Sequence, residues 1–292
     1  MSSAVDEPES LGFQRFDCTT DQPALLAAAT EAAREAIEAG ECIVLPTDTV
    51  YGIGADAFSP DAVQRLLDAK NRGRDMPPPV LIGEPTLIRA LAVDVPDEAK
   101  ELVERHWPGP LTIICRMQPS LRMDLGDNEN TIALRVPDHE LAREVLRRTG
   151  PMAVSSANQS GHPAALSCDE AIDQLGDAVS VYLDGGKLAA TGGSPSTIVD
   201  FTRSDDGQIL RVGALSVAEI QQTLPNVVDL TADPHEPDEP DEPDEPDDLS
   251  EPDDLDEPDD LDETDDLDEP VDSEDPDEST RAAAGPAERK DG

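Results

Sequence analysis

The sequence predicts an α/β fold in which helices pack on a mixed β-sheet. Short apolar runs alternate with amphipathic segments along most of the chain, which indicates strands interleaved with helices. Several apolar runs follow one another with no helical segment between them, and this favours a mixed rather than an all-parallel sheet. No internal repeat and no Pro/Gly-rich linker interrupts residues 21–228, so these residues are predicted to form one domain.

The first elements are identified from their boundary residues. Apolar positions at helical spacing over residues 23–40, ended by a glycine, predict an amphipathic helix. The apolar run "CIVL" predicts a buried strand, and the polar loop "PTDTVYG" follows it. Ser59 is a favourable N-cap with Pro60 in the first turn, so a second helix is expected to begin there and to end near Lys70.

The same alternation continues beyond Lys70. The predicted order is strand "VLIG", helix "PDEAKELVERHW", strands "LTIICRM" and "TIALRVP", helix "HELAREVLRRTG", strand "MAV", a helix over residues 169–175, strands "VSVYL", "STIVDF" and "QILRV", and helix "SVAEIQQTL". In open α/β sheets ligands bind in the loops beyond strand ends, so the polar loops that follow these strands are the candidate functional segments.

Charge is distributed unevenly along the chain. After Leu230 lie 30 of the 66 acidic residues but 3 of the 21 basic ones. Residues 229–292 are rich in Asp, Glu and Pro and are predicted to form a disordered acidic tail, because they bury too little apolar surface to offset the entropy of ordering. Residues 1–20 are predicted to be a flexible N-terminus. The rest keeps a net charge of −18, which disfavours a general nucleic-acid binder.

Cysteine spacing and hydropathy indicate the compartment. The four cysteines at positions 18, 42, 115 and 168 form no CxxC pair, so we expect reduced thiols rather than a zinc site or a disulfide framework. No apolar run approaches the roughly 20 residues that a membrane span needs, and the N-terminus lacks the apolar core of a signal peptide. The prediction is a cytoplasmic protein without membrane contact.

Cationic and hydroxyl side chains gather in the loops and strand ends. "AKNRGR" contributes Lys70 and Arg72, "TIALRVP" places Arg135 inside an apolar strand, "ILRVG" contributes Arg211, and "SSANQSG" offers uncharged donors. Each segment alone has a structural explanation, such as backbone capping or surface charge. Together the four cations would bind a ligand with several negative charges. A nucleoside triphosphate fits, although a P-loop GxxxxGK[ST] is absent from the sequence.

Seven segments occur in the order and approximate spacing of the YrdC-like family, the L-threonylcarbamoyladenylate synthases. They are "PTDTVYG", "KNR", "WPGPLT", "TIALRVP", "SSANQSG", "STIVD" and "LRVG". The chain resembles this family over roughly residues 24–224. The resemblance implies a single twisted domain around a mixed sheet with a cationic concave cavity.

The resemblance also implies the reaction and its partners. Family members convert L-threonine, bicarbonate and ATP to threonylcarbamoyl-AMP and pyrophosphate. A separate tRNA threonylcarbamoyl transferase complex then forms N6-threonylcarbamoyladenosine (t6A) at position 37 of tRNAs that read ANN codons. Mg²⁺ would arrive with ATP, since no carboxylate cluster of metal-site type occurs in the loops.

The resemblance further implies roles for individual residues. Lys70 and Arg72 would hold the ATP phosphates during catalysis, and Arg135 would pair with the threonine carboxylate. The remaining threonine contacts would be Thr47, Tyr51 and Thr197. The nucleotide would lie along Thr131, Ser156, Asn158, Ser160 and Arg211.

Two positions depart from the family pattern. Met76 stands where Asn is common, and Ser155 replaces the usual proline. Neither change removes a cation, so we expect activity to be retained. Longer members carry a second C-terminal domain, whereas here the acidic tail follows, as expected of the short, single-domain type.

Two other functions remain open at this stage. YrdC-like domains occur in large carbamoyltransferases that mature hydrogenases, but this chain has neither the length nor the paired cysteines of those proteins. A non-enzymatic factor could bind tRNA or double-stranded RNA on the basic concave face.

The acidic tail has two possible roles: it is either a solvated extension or a polyanion that competes with ATP or tRNA for the cavity. In the second case, a variant ending at Asp229 is expected to have a lower KM for ATP at low salt.

Overall fold

A computed structural model describes residues 12–20, 22–127, 130–188 and 193–232. Within these residues the chain forms twelve strands and seven α-helices. Strands β1 to β12 are Gln14–Asp17, Ile43–Leu45, Gly52–Asp56, Val80–Leu81, Ala92–Val93, Leu111–Met117, Thr131–Arg135, Met152–Ser156, Val181–Asp184, Thr197–Asp200, Gln208–Arg211 and Val228–Asp229. Helices α1 to α7 are Pro23–Glu38, Pro60–Ala69, Ile88–Leu91, Asp97–His106, Glu140–Thr149, Cys168–Leu175 and Val217–Gln221.

All twelve strands belong to one mixed sheet. Its order is β1-β9-β2-β3-β8-β4-β7-β6-β10-β11-β12, and β5 pairs with β6 outside this path. Strand β7 is parallel to β4 but antiparallel to β6, so both kinds of ladder meet at the centre of the sheet. The predicted α/β class with a mixed sheet is confirmed.

The helix boundaries follow from local chemistry. Helix α1 begins at Pro23, buries Ala29, Ala33 and Ile37, and is followed by Gly40 at a φ of 75°. Such a left-handed backbone costs glycine little, because it has no Cβ. In α2 the Ser59 side chain accepts a hydrogen bond from the Ala62 amide at 3.3 Å, as expected of an N-cap.

Alternation along the strands produces two apolar cores on opposite faces of the sheet. In β2, Val44 joins the larger core, whereas Ile43 and Leu45 join the smaller one. Helices α1 and α5 contribute to the smaller core, and α2, α4, α6 and α7 contribute to the larger one. Farther along the sheet, Leu81 and Val154 of the smaller core also line a cavity, so the cavity opens on that face.

Some elements differ from the prediction. Gln14–Asp17, within the predicted flexible N-terminus, forms β1, which pairs in parallel with β9 and packs Phe16 against the smaller core. Strand β3 lies in a segment for which no strand was predicted, and its glycines 52 and 54 are of a residue type that disfavours strands. The close approach of β8 requires them, since a Cβ at Gly52 would lie 2.7 Å from Val154 Cγ1. Strand β8 extends to Ser156, so the serine pair of "SSANQSG" belongs to the strand.

The described residues also bear on the other sequence predictions. All four cysteines are free. Within the described part of the chain, no helix is long and apolar enough to cross a membrane. The predicted acidic tail lies outside the described residues from position 233 onward, so its disorder and its competition with ATP stay predictions.

Candidate active site

Three arginines from distant parts of the sequence line one cavity of about 190 Å³. Arg72 follows α2, Arg135 ends β7 and Arg211 ends β11. We call this space the arginine cavity. The turn between β2 and β3 contributes Thr47 and Thr49 to its wall.

The threonine turn is fixed by its own hydroxyl groups. Thr47 Oγ1 donates to the carbonyl of Val50 at 2.6 Å and accepts from the amide of Thr49 at 3.1 Å. It also lies 3.1 Å from Thr49 Oγ1. Both side chains are buried, so these bonds satisfy backbone groups that water does not reach. The turn is therefore a preorganised wall of the cavity.

Arg135 is buried and paired. Its guanidinium donates to Asp48 Oδ1 at 2.6 Å, to Thr49 Oγ1 at 3.0 Å and to the carbonyl of Gly109 at 3.1 Å. Burial lowers the pKa of Arg135, and the Asp48 carboxylate opposes that shift. A guanidinium has five N–H donors, so two remain beyond these three bonds.

Arg72 is held by a residue that departs from the family pattern. Its Nη1 donates to Ser155 Oγ at 2.9 Å, and a proline at position 155 would offer no such acceptor. Nε of Arg72 is buried and has no hydrogen-bond partner in the structure. Burial lowers the pKa of Arg72, with Asp75 opposing the change. Because Nε has no partner, the guanidinium of Arg72 keeps at least one N–H donor for a ligand.

A β-bulge places Arg211 in the cavity. Val199 pairs with Ile209 and Ile198 pairs with Arg211, so Leu210 is one residue more than the partner strand requires. In a regular strand Arg211 would share the face of Ile209, which is fully buried in the core. With the bulge, Leu210 and Arg211 both lie on the cavity side. Arg211 then donates to the carbonyl of Ser196 at 2.8 Å and 3.1 Å.

The three cations influence one another. Arg211 is exposed as a whole residue, but its guanidinium is partly buried. This burial lowers the pKa of Arg211, and the positive charges of Arg135 and Arg72 lower that pKa further. Like charges in one partly desolvated space repel each other. A ligand with several negative charges relieves this repulsion, so the electrostatics of the cavity favour a polyanion.

A second, larger cavity of about 1310 Å³ adjoins the first. The two share Pro77, Ile114 and Ala133 as lining residues. Thr131, at the start of β7, and Leu210 line the larger space. A ligand that extends beyond the arginines along β7 and β11 would therefore enter a roomier and less cationic region.

Two predicted threonine contacts lie behind the cavity wall. Tyr51 is fully buried, and its hydroxyl donates to the carbonyl of Gly186 at 2.6 Å and accepts from the amide of Gly185 at 3.0 Å. Thr197 Oγ1 donates to the carbonyl of Leu215 and accepts from the amide of Gly213 at 2.8 Å. Neither residue lines the cavity, so each supports a neighbouring loop.

Only some of the residues predicted to bind the phosphates and the nucleotide line a cavity. Ser156 lines the arginine cavity, whereas Lys70, Asn158 and Ser160 line neither cavity. Ser160 is exposed. Asn158 is buried, and its amide nitrogen donates to the carbonyls of Gln159 and His162, both at 2.8 Å. These contacts close the loop on itself, and the roles of the three residues in binding stay predictions.

Sequence reasoning missed acceptors that orient the arginines, and Asp48 and Ser196 illustrate two reasons for this. Asp48 lies inside "PTDTVYG", and a buried arginine is a reason to search nearby motifs for a carboxylate. Ser196 contacts Arg211 through its carbonyl, and no side-chain pattern marks a backbone acceptor. The first contact was therefore detectable as a hypothesis, and the second was not.

Comparisons with known proteins agree with this architecture. The Sua5/YciO/YrdC family, described as "Telomere recombination", matches residues 35–213. A Mycobacterium tuberculosis protein named "Putative threonylcarbamoyl-AMP synthase" is 48% identical over 211 residues, which cover 72% of this chain and 95% of that protein. The Pyrococcus abyssi threonylcarbamoyl-AMP synthase is 33% identical over 192 residues, 65% of this chain and 56% of that protein.

Solved structures show the same fold. The crystal structure of P. abyssi Sua5 complexed with L-threonine aligns with a TM-score of 0.67 at 29% identity, and the match covers 74% of this chain and 62% of that one. Escherichia coli YciO aligns with a TM-score of 0.61 at 25% identity, covering 69% of this chain and 96% of that one. The chain therefore belongs to the Sua5/YciO/YrdC family.

Proposed function

We propose that this chain is an L-threonylcarbamoyladenylate synthase, which converts L-threonine, bicarbonate and ATP to threonylcarbamoyl-AMP and pyrophosphate. The observation that carries the proposal is the grouping of Arg72, Arg135 and Arg211 beside a buried threonine turn. Relatives named threonylcarbamoyl-AMP synthase, and a structural neighbour with L-threonine bound, support the same reaction. In this reaction the enzyme acts as an ATP-dependent nucleotidyltransferase.

The geometry suggests how the cavity divides between the substrates. The two further N–H donors of Arg135 would bind the threonine carboxylate as a planar fork, next to the Thr47 turn. Arg72 and Arg211 would contact the ATP phosphates. Ser156 would donate its hydroxyl to the nucleotide from the end of β8. The larger cavity, with Thr131 in its wall, is the space in which the rest of the nucleotide would lie.

The chemistry requires positioning and charge more than a covalent nucleophile. The threonine amine adds to CO2 derived from bicarbonate and loses a proton, giving a carbamate. A carbamate oxygen then attacks the α-phosphorus of ATP as the bond to pyrophosphate breaks. The carbamate is unstable in water, so a preorganised and partly dry site favours the attack. Negative charge builds on the departing pyrophosphate, and fixed arginines stabilise it without reorganising.

The remaining partners follow from this reaction. Mg²⁺ would arrive bound to the triphosphate, whose oxygens are the hard ligands it prefers. The product would pass to a tRNA threonylcarbamoyl transferase complex for t6A formation in the cytoplasm. Tyr51 and Thr197 would act on threonine through the loops they support, since both side chains lie behind the wall.

Pyrophosphate release from ATP and Mg²⁺ tests the proposal. Release is expected only when threonine and bicarbonate are both present, because the carbamate forms from the two together. The measurement is a coupled pyrophosphate assay with each co-substrate omitted in turn, alongside mass-spectrometric detection of threonylcarbamoyl-AMP. Pyrophosphate release that ignores threonine, or folded protein that releases none, would refute the assignment.

A further inference from the structure

Lys70 occupies a buried position between α2 and the end of β8. The residue is 2% exposed. Its Nζ donates to the carbonyl of Ser156 at 2.5 Å and to the carbonyl of Asn158 at 2.5 Å, and lies 3.5 Å from Asn158 Oδ1. An ammonium has three N–H donors, and three protein oxygens surround this one. The arrangement leaves no donor directed at a ligand in the cavity.

The backbone reinforces this connection. The Ser160 amide donates to the Lys70 carbonyl at 2.8 Å, so residue 70 holds the segment 156–160 through its side chain and its main chain. One residue before Ser156, the Ser155 hydroxyl accepts from Arg72. The same lysine therefore fixes the strand end that orients a cavity arginine.

We infer that Lys70 is a positioning residue, which clamps the 156–160 segment to the end of α2 so that Ser155 and Ser156 face the cavity. It is not a ligand of the ATP phosphates. The inference rests on the proposed function only where it concerns ATP, because the clamp itself is a property of the fold.

The charge state of Lys70 agrees with this role. Burial lowers its pKa to about 8, with Arg72 contributing to the shift. At neutral pH the amine therefore remains mostly protonated and retains all three donors. Carbonyl oxygens supply the polar surroundings that a buried cation needs in the absence of a carboxylate.

Amine labelling of the wild-type chain tests the clamp directly. The chain has only four lysines, and Lys100, with a side chain 56% exposed, and the exposed Lys187 serve as internal controls. Acetylation followed by peptide mass spectrometry should modify Lys70 at least about tenfold more slowly than Lys100, with or without ATP and Mg²⁺, because modification requires local opening. Labelling of Lys70 as fast as Lys100 in free protein, together with protection by ATP, would overturn the inference.

A second experiment separates a clamp from a phosphate contact. Lys70→Met keeps the length of the side chain but removes its donors, and we expect the KM for ATP to rise about tenfold because Ser156 shifts in the cavity wall while Arg72 stays in place. The dependence of that KM on salt should stay as in wild type, whereas Arg72→Ala should weaken it, because screening acts on charges that meet the ligand. A salt dependence weakened by Lys70→Met as much as by Arg72→Ala would contradict the clamp.

The two proposals fail separately. Lys100→Met is the matched control and should leave the KM for ATP unchanged. If Lys70→Met does not fold, the labelling of wild-type protein still decides the question. If the chain releases no pyrophosphate, the proposed reaction is wrong, yet a Lys70 that resists acetylation would still support the clamp.

Discussion

Arg135→Ala is expected to lower kcat/KM for threonine by at least about a hundredfold, because charge-assisted hydrogen bonds contribute about 1.5–3 kcal/mol and this site offers two. The guanidinium lines the arginine cavity and has two N–H donors beyond those it gives to Asp48, Thr49 and Gly109. Among the described residues, Arg72 and Arg211 are the other two arginines that line this cavity. Initial rates of pyrophosphate release over a range of threonine concentrations measure the effect.

The same substitution affects stability, and the controls must separate the two consequences. Asp48 Oδ1 loses its cation, and a buried charge left without its partner costs about 3–5 kcal/mol. The variant Arg135→Ala with Asp48→Asn removes that charge, so it should recover part of the free energy of unfolding but none of the activity. Arg34→Ala, which removes an arginine paired with carboxylates on the surface of α1, should leave kcat/KM unchanged. Activity recovered by the double variant would show that Arg135 acts only through folding.

Gly213→Ala is expected to lower the free energy of unfolding by about 3 kcal/mol, and Tm by roughly 6–12 °C, because overpacking against a backbone is relieved only by moving it. A Cβ at position 213 would lie 2.1 Å from the carbonyl oxygen of Pro195 and 2.7 Å from the carbonyl carbon of Ser196. Both residues line the arginine cavity, and the Ser196 carbonyl holds Arg211. The KM for ATP should therefore rise as well, and thermal unfolding by circular dichroism measures the loss of stability.

Gly161→Ala is the control for this effect. Gly161 has a φ of 82° and nothing within 4 Å of the position that a Cβ would take, so its substitution has only a conformational cost of about 1 kcal/mol. Wild-type Tm for Gly213→Ala, or an equal loss in both variants, would mean that the 195–196 segment moves aside without cost.

Local signals were sufficient for much of the fold. The N-cap Ser59 and the first-turn Pro60 predicted the start of α2, and the structure confirms it. Strand β3 was not predictable in this way, because its glycines at positions 52 and 54 are required by the side chains of β8, about 100 residues away in the sequence. Local propensity describes a residue alone, whereas a strand depends on the neighbour it pairs with.

For the candidate site, too, local sequence predicted some features, and others depend on contacts with distant parts of the chain. Residue type and position predicted which cations are present, and three of the four lie in one cavity. Lys70 has the same charge as the others, but its contacts with two carbonyls are set by how α2 packs beside β8. Nor does alternation predict the face of Arg211, since the bulge at Leu210 changes the period of the strand. The sequence therefore predicts which charged groups are present better than it predicts where their side chains point.

The bulge in β11 makes the walls of the two cavities independent of each other. Removing residue 210 would restore regular pairing, with Val199 opposite Ile209 and Ile198 opposite Arg211 as they are now. The cation would still face the arginine cavity, whereas the larger cavity would lose one apolar side chain. Deletion of this one residue would therefore reshape the space for one part of a ligand and leave the anion contact unchanged.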